Sequence, residues 1–375
     1  MKILIVASHL RPSEGWGTEA LQSVQGLRAL GHDVRALVHQ SSDNAPCIEY
    51  ALLPPPLTVL RNPFAFFRTW RALQKVTSEW KPDVLHIMTE PYALAATFVR
   101  RAPLLVLTIN GTYALVPLAS GITRWLMMRV YHRSCRILSI SRYTATRLSE
   151  RLRELDRDLA ASVRKKTVIW TLGTPLLPAP ESHQKNPVKQ IVFVGALKAR
   201  KGIREIIEAC GAFKKTSRMP FHLHLLGSPP EKDYGCLLTQ RIQALGLTNS
   251  VTLHGHVSDA VLAEKYAEAD LFIMLSISEG MHFEGYGLVF LEANMRGVPV
   301  IGPKDSGCED AISDGRSGYL VNPHVPDEVA QCMRWILEED RIQSGECRAW
   351  AEEHNIQRQA KELETVYQDV IQERA

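Results

Sequence analysis

The sequence predicts an α/β protein built as two doubly wound, parallel-sheet domains, and three observations predict it. Short β-branched runs alternate with amphipathic stretches along most of the chain. That alternation stops once, at 173–188, and then starts again. At 375 residues the chain is also longer than one typical domain core.

In order, the first half offers strands at Lys2 to Ala7, Asp33 to His39, Val84 to Met88, Leu104 to Asn110, Arg136 to Ser141 and Thr167 to Leu172. Helical periodicity fills most of the gaps, giving a Rossmann-like domain over 1–172. Residues 173–188, GTPLLPAPESHQKNPV, hold four prolines and little periodicity, and read as a linker. The second half repeats the pattern over 189–345, with strands at Gln190 to Ala196, Phe221 to Gly227, Val251 to His256, Leu271 to Leu275, Val298 to Gly302 and Gly318 to Val321. Residues 346–375 read as a long helix, rich in Glu, Gln, Arg and Ala, packing back toward the first domain. Ligands of such sheets bind beyond the carboxyl ends of the strands, so the two domains are expected to face each other across a cleft.

Composition narrows the function classes. Hydrophobic residues make up 45% and charged residues 22%, which excludes a disordered or fibrous chain. The seven cysteines are scattered, odd in number and never form C-x-x-C, so a reduced, cytoplasmic setting is expected. His222 and His224, or His254 and His256, alternate along strands without metal-ligand spacing. The apolar run at Met1 to Ala7 is too short for a signal-peptide core, and no uncharged apolar run approaches a membrane span. Charge is asymmetric: residues 1–187 carry 24 Lys and Arg against 13 Asp and Glu, while residues 188–375 carry 20 against 27. A basic first half suits an anionic acceptor or an anionic membrane surface.

The most informative stretch is Phe283 to Gly302, FEGYGLVFLEANMRGVPVIG. A Glu284-Gly285-Tyr286-Gly287 loop precedes a helix at Leu288 to Arg296, which Gly297 ends. The N–H groups of Leu288 and Val289 lie in an unsatisfied first turn where the dipole favours an anion, and Gly287 lets that anion approach closely. Glu284 and Glu292 flank the anion pole. Carboxylates there suit hydroxyl groups, which donate hydrogen bonds, so a diphosphate carrying a sugar and a ribose matches the whole pattern.

Glu284, seven residues and then Glu292, within EGYGLVFLEA, resembles the signature of retaining glycosyltransferase family 4, whose members have the GT-B fold. VFVGALKARKG at 192–202, SGCEDAISDGRSGYLVNP at 306–323, GTEALQSVQGLRALGHDV and PDVLH at 82–86 are similar to further landmarks of that family, so the resemblance covers nearly the whole chain. It implies an acceptor-binding domain at 1–172 and a nucleotide-sugar-binding domain at 189–345. It also implies that Glu284 contacts the donor sugar, Glu292 the ribose and Lys201 the diphosphate. Gly17 would face the transferred sugar, and backbone near Val257 would read the base. Family members work without a metal, so no cofactor beyond the nucleotide-sugar donor is expected. Two departures stand out: Ala196 replaces the family's Arg after Gly195, leaving Lys198 or Arg200 as the second cation, and Asn110 replaces its His. Asn can hydrogen-bond a sugar hydroxyl but cannot exchange a proton near neutral pH.

Gly15 to Ala20 also matches G-x-G-x-x-A, the mark of a dinucleotide-binding oxidoreductase. Seven residues, Ser8 to Glu14, separate it from the strand, and the second strand ends in His39-Gln40 with no ribose-binding acid, so its context fails. Leu60 to Lys81 and Gly121 to Arg136 interleave aromatics with Arg, as interfacial helices do, although packing on the sheet explains the pattern equally. The expected function is retaining, metal-independent transfer of a hexose to a lipid-linked or cell-envelope polysaccharide glycan, with nucleic acid excluded as a partner. The alternatives are a non-catalytic nucleotide-sugar-binding subunit, a sugar-nucleotide epimerase on the same fold, and a phosphorylase, for which no lysine is marked.

Overall fold

The computed structural model describes residues 1–12, 15–100, 103–119, 121–178 and 187–374. The chain divides into two units, Met1–Gly173 with Ile356–Ala375, and Thr174–Asn355. Part of the expected linker, 179–186, lies outside the described residues.

The first unit holds β1 (Lys2–Val6), β2 (Asp33–Val38), β3 (Ile48–Ala51), β4 (Val84–Ile87), β5 (Leu104–Ile109), β6 (Arg136–Ser139) and β7 (Thr167–Ile169). They form one parallel sheet in the order β3-β2-β1-β4-β5-β6-β7. The central strands are near-continuous apolar runs because helices cover both faces; every residue of β5 is buried. The edge strand β3, IEYA, was not anticipated, since an edge position leaves it half exposed and without an apolar signature. The strand expected to run to Leu172 stops at Ile169, after which Trp170 turns inward and its indole N–H donates to Gln359 O at 3.1 Å.

The second unit holds β8 (Lys189–Val194), β9 (Phe221–Leu226), β10 (Val251–Gly255), β11 (Leu271–Ile273), β12 (Val300–Pro303) and β13 (Gly318–Val321), in the parallel order β10-β9-β8-β11-β12-β13. In both sheets the order runs outward from the first strand on one side and resumes with the fourth on the other. The reversal falls between β1 and β4, and between β8 and β11, which is where a doubly wound sheet opens a binding crevice.

The single long helix expected over 346–375 is two helices, Ser344–Glu353 in the second unit and Ile356–Gln372 in the first. The break has a tertiary cause. The His354 carbonyl accepts the N–H of Thr174 at 2.9 Å, and the Asn355 side chain turns back to the Glu352 carbonyl at 2.7 Å. The last helix joins the first unit as expected, packing on helix Gly15–Ala29 so closely that a Cβ on Gly26 would stand 2.5 Å from the Ala360 Cβ. Its Tyr367 hydroxyl bonds the buried His86 Nδ1 at 2.7 Å, and burial pulls that imidazole down to about 3, so it stays neutral. Among the described residues, no helix is long and apolar enough to cross a membrane.

Candidate functional site

In the second unit, β8 leads through Gly195 and Ala196 into a 3-10 turn, Ala199–Lys201, closed by Gly202 at φ +71°. A Cβ on Gly202 would lie 1.9 Å from the Leu275 carbonyl oxygen, so only glycine lets this turn rest on the chain leaving β11. That contact brings residues from both sides of the reversal together. Lys201 Nζ lies 2.5 Å from Glu284 Oε2, the Ser276 hydroxyl donates to the same oxygen at 3.2 Å, and Arg200 Nη1 stands 3.6 Å away. Glu284 is 16% exposed. Burial works against its ionisation, but the charge and hydrogen bond of Lys201, with Arg200 and Ser276, outweigh it and hold the carboxyl below its usual value.

The loop after Glu284 ends at Gly287, φ +80°, which caps helix Leu288–Met295; a Cβ there would meet the Phe290 ring at 2.8 Å. Leu288 and Val289 are half-buried, and as first-turn residues their N–H groups have no intrahelical acceptor. The Gly307 N–H braces the loop by donating to the Glu284 carbonyl at 3.0 Å. Glu292, half-buried on the same helix, has its carboxyl raised by burial, with the Arg296 charge opposing. Glu284, Lys201, Arg200, Gly287, Leu288 and Val289 thus gather at one reversal, with Glu292 further along the helix. Ala196 brings no charge, and of its two candidate replacements only Arg200 stands beside Glu284. Its Nη1 has no hydrogen-bond partner among the described residues, whereas Lys198 is exposed. Val257 lies in the connection between β10 and helix Asp259–Glu268. His222 and His224 make ordinary strand contacts, to Thr252 at 2.8 Å and to Gln190 at 2.7 Å.

The first unit brings a different set to its reversal. Asn110, just beyond β5, donates its N–H to Glu90 Oε1 at 2.7 Å and its side-chain amide to the Met88 carbonyl at 2.8 Å. Glu90, just beyond β4, is fully buried, and so nearly is Glu19 on helix Gly15–Ala29. Burial pushes the Glu90 carboxyl up to about 7 against the hydrogen bonds of Asn110 and Trp16, and burial followed by the Glu90 charge raises Glu19 well above its usual value. Gly17 sits on the same helix, where a Cβ would stand 2.3 Å from His9 Nε2. Trp16, next to Gly17, and Asn110 both bond Glu90, so the two segments meet at that buried acid. Glu90 and Glu19 were missed. The available signal was an acid placed directly after an apolar strand, TE following VLHIM.

Comparison with known proteins agrees with this architecture. The model of the family described as Glycosyltransferase Family 4 matches residues 15–159, and that described as Glycosyl transferases group 1 matches residues 179–356. A GDP-mannose-dependent alpha-mannosyltransferase of Corynebacterium glutamicum is 25% identical over 93% of this chain and 84% of its own. A D-inositol 3-phosphate glycosyltransferase of Paenarthrobacter aurescens is 34% identical over 40% of this chain, and the match spans only 35% of that relative. Among solved structures, the sucrose-phosphate synthase of Thermosynechococcus elongatus aligns with a TM-score of 0.76 at 18% identity, covering 98% of both chains. The Anabaena protein HepE in complex with UDP and glucose aligns at 0.74 and 16%, covering 98% of this chain and 100% of its own. With one family model on each half and one doubly wound sheet in each unit, the chain belongs to glycosyltransferase family 4 and has the GT-B fold.

Proposed function

We propose that this chain moves a hexose from a nucleotide-diphosphate sugar to an acceptor, with retention of anomeric configuration and without a metal. The acceptor we propose is a lipid-linked or cell-envelope polysaccharide glycan, met on the cytoplasmic face of the membrane. The observation that carries the reading is the pairing of a cation cluster with a helix start. Lys201 and Arg200 converge on Glu284 at 2.5 and 3.6 Å, one loop before the open amides of Leu288 and Val289. Two positive side chains and a helix N-terminus suit a diphosphate, and a carboxylate held ionised suits the hydroxyls of the attached sugar.

In this reading Lys201, Arg200 and the 288 and 289 amides hold the diphosphate and stabilise the charge it gains as the bond to the anomeric carbon breaks. Glu284 orients the sugar and Glu292 accepts from the ribose. The acceptor hydroxyl attacks on the face the diphosphate leaves, and its proton passes to a departing phosphate oxygen, so the configuration is kept. Backbone at Val257 borders the base. In the first unit, Gly17 and Asn110 border the acceptor and the sugar, with Asn110 held by Glu90.

The test is a thermal-shift screen of the protein against UDP-, GDP-, ADP- and CMP-sugars without added metal, repeated on Glu292→Ala. Stabilisation by one nucleotide class, lost in the variant, supports the reading; the same stabilisation in the variant would remove Glu292 from the site. A second reading has its own support. Ala196 removes one cation and Asn110 a proton-exchanging side chain, which suits a nucleotide-sugar-binding subunit without activity. Donor turnover by the purified chain alone would exclude it.

A further inference from the structure

We infer that the first unit carries a docking surface for an anionic lipid bilayer, made of the outer faces of helices Pro63–Trp80 and Gly121–Arg133 and an apolar slot between them. This deepens the proposed membrane-side acceptor and takes its purpose from that reading. The surface itself rests on separate observations.

Both helices already bury one face. Ala65, Thr69, Leu73, Val76 and Trp80 line the inner side of the first, and Leu126, Met127, Val130 and Tyr131 that of the second. The outer sides are nevertheless apolar at one end: Phe64 is 85% exposed, Phe67 51%, Ile122 73% and Trp125 52%, with Phe98 beside them at 39%. Scattered exposed apolar residues are ordinary, but Phe98, Ile122 and Trp125 line one cavity, and Phe67 packs on Trp70, whose indole N–H donates to the Phe98 carbonyl, with Phe64 one turn before it on the helix. A cavity of about 260 Å³ runs between the helices, lined by Leu60, Phe66, Leu94, Phe98, Trp125 and Leu126. Side chains at 64, 67, 71 and 75, and at 122, 125 and 129, recur at helical spacing, so each outer face passes from rings or aliphatics to cations within about two turns. Asn62 fixes the start of the first helix by accepting the Phe64 N–H at 2.8 Å, which aims the first exposed ring.

Charge decides the occupant. Residues 57–81 and 121–136 hold nine Lys and Arg against one acid, Glu79. Among the described residues only Arg136 of those nine pairs with a carboxylate, that of Glu373. Arg71 and Arg129 instead lie over the Phe67 and Trp125 rings, at 5.9 and 5.0 Å. A ring at acyl depth with a guanidinium at headgroup level is the arrangement an anionic bilayer satisfies on both counts. A second copy of the chain does not satisfy it, because a twofold contact would set these cations against themselves. The slot gives one acyl chain a place between the helices.

The experiment is sedimentation of the full chain with vesicles of phosphatidylcholine alone, or of phosphatidylcholine with roughly a third phosphatidylglycerol. Two variants accompany it, Phe64→Ser with Ile122→Ser, and Arg71→Glu with Lys75→Glu. All four side chains point to solvent, so the melting temperature and the nucleotide-sugar shift are expected to stay unchanged. The wild type is expected to bind the anionic vesicles, release them in high salt and leave neutral vesicles alone. Each variant is expected to lose at least about tenfold in affinity. Equal binding to both vesicle types, no binding, wild-type binding by both variants, or a dimer that Phe64→Ser with Ile122→Ser dissolves would overturn the surface. Vesicle binding that survives while no nucleotide sugar shifts the melting point would instead overturn the proposed reaction and leave the surface standing.

Discussion

The two units share one strand order, and each gathers polar side chains where that order reverses, yet the two reversals have opposite electrostatics. In the second unit Lys201, Arg200 and Ser276 surround Glu284 and keep it ionised despite burial. In the first, Glu90 and Glu19 are both buried, and burial, joined for Glu19 by the Glu90 charge, pushes both toward the neutral form. The same crevice in the same fold is therefore tuned for different work. A cation-rich crevice with a helix start suits an anion; a crevice floored by protonatable acids and an amide suits neutral hydroxyls.

The largest expected effect comes from breaking the charged side. Glu284→Gln or Lys201→Ala should lower turnover at least about 100-fold, on the order of 2.7 kcal/mol of transition-state stabilisation, since either removes a contact that strengthens as the diphosphate departs. Steady-state rates with saturating donor are the measurement, and near-normal turnover in either variant would dismantle the assignment.

The two acids should also give opposite pH slopes. Glu90 holds its proton more tightly folded, near 7, than at its ordinary 4.5, so the fold is favoured at the acid end and stability falls as pH climbs between those values, then levels. Glu284 is lowered, so its contribution is present above the usual carboxyl range and fades as pH drops. Glu90→Gln should flatten the fall between pH 4.5 and 7 by about 2 kcal/mol, allowing for its coupling to Glu19. Denaturant melts across that range measure it; an unchanged slope would mean that Glu90 is ionised in the fold throughout. A smaller effect is expected from Glu292→Ala, which should weaken nucleotide-sugar binding by roughly tenfold, the worth of one charge-assisted hydrogen bond, with little loss at saturating donor. Calorimetry and the separation of KM from kcat check that division.

What could be read from the chain beforehand follows from how local each feature is. Glu284, Gly287 and Glu292 lie in one loop-helix segment, where glycine, acid and apolar period announce an anion pole without knowledge of anything distant. Most strands were legible because apolar residues fill both faces; β3 was not, because at the edge its IEYA needs no such filling. The choice of Arg200 over Lys198 required the Gly202 turn to be seen resting on Leu275. Glu90 required the knowledge that β4 lies beside β1, and the break at His354 depends on the Thr174 N–H, far away in sequence. Pairings across such separations leave no local period to read.

Asn110 is the residue at which the contrast between the units can be sharpened most finely. Its backbone N–H holds Glu90, and its amide holds the Met88 carbonyl, so it joins the chain leaving β5 to the chain leaving β4. Removing the amide in Asn110→Ala keeps the backbone bond to Glu90 but deletes a donor to the Met88 carbonyl and a long contact to Glu90 Oε2 at 3.5 Å, together worth about 1 kcal/mol. Turnover should fall by up to about tenfold while nucleotide binding stays at its wild-type value, because in the proposed reading the diphosphate, ribose and base contacts belong to the other unit. Asn110→His separates positioning from proton exchange. If the site needs only a hydrogen bond, the imidazole should restore turnover with the wild-type pH profile. If a proton is exchanged there, a new limb should enter the profile near the ordinary histidine value of about 6.5. Nucleotide affinity falling together with turnover in Asn110→Ala would show that the first unit's crevice contributes to donor binding and would erase the division of labour drawn between the two reversals.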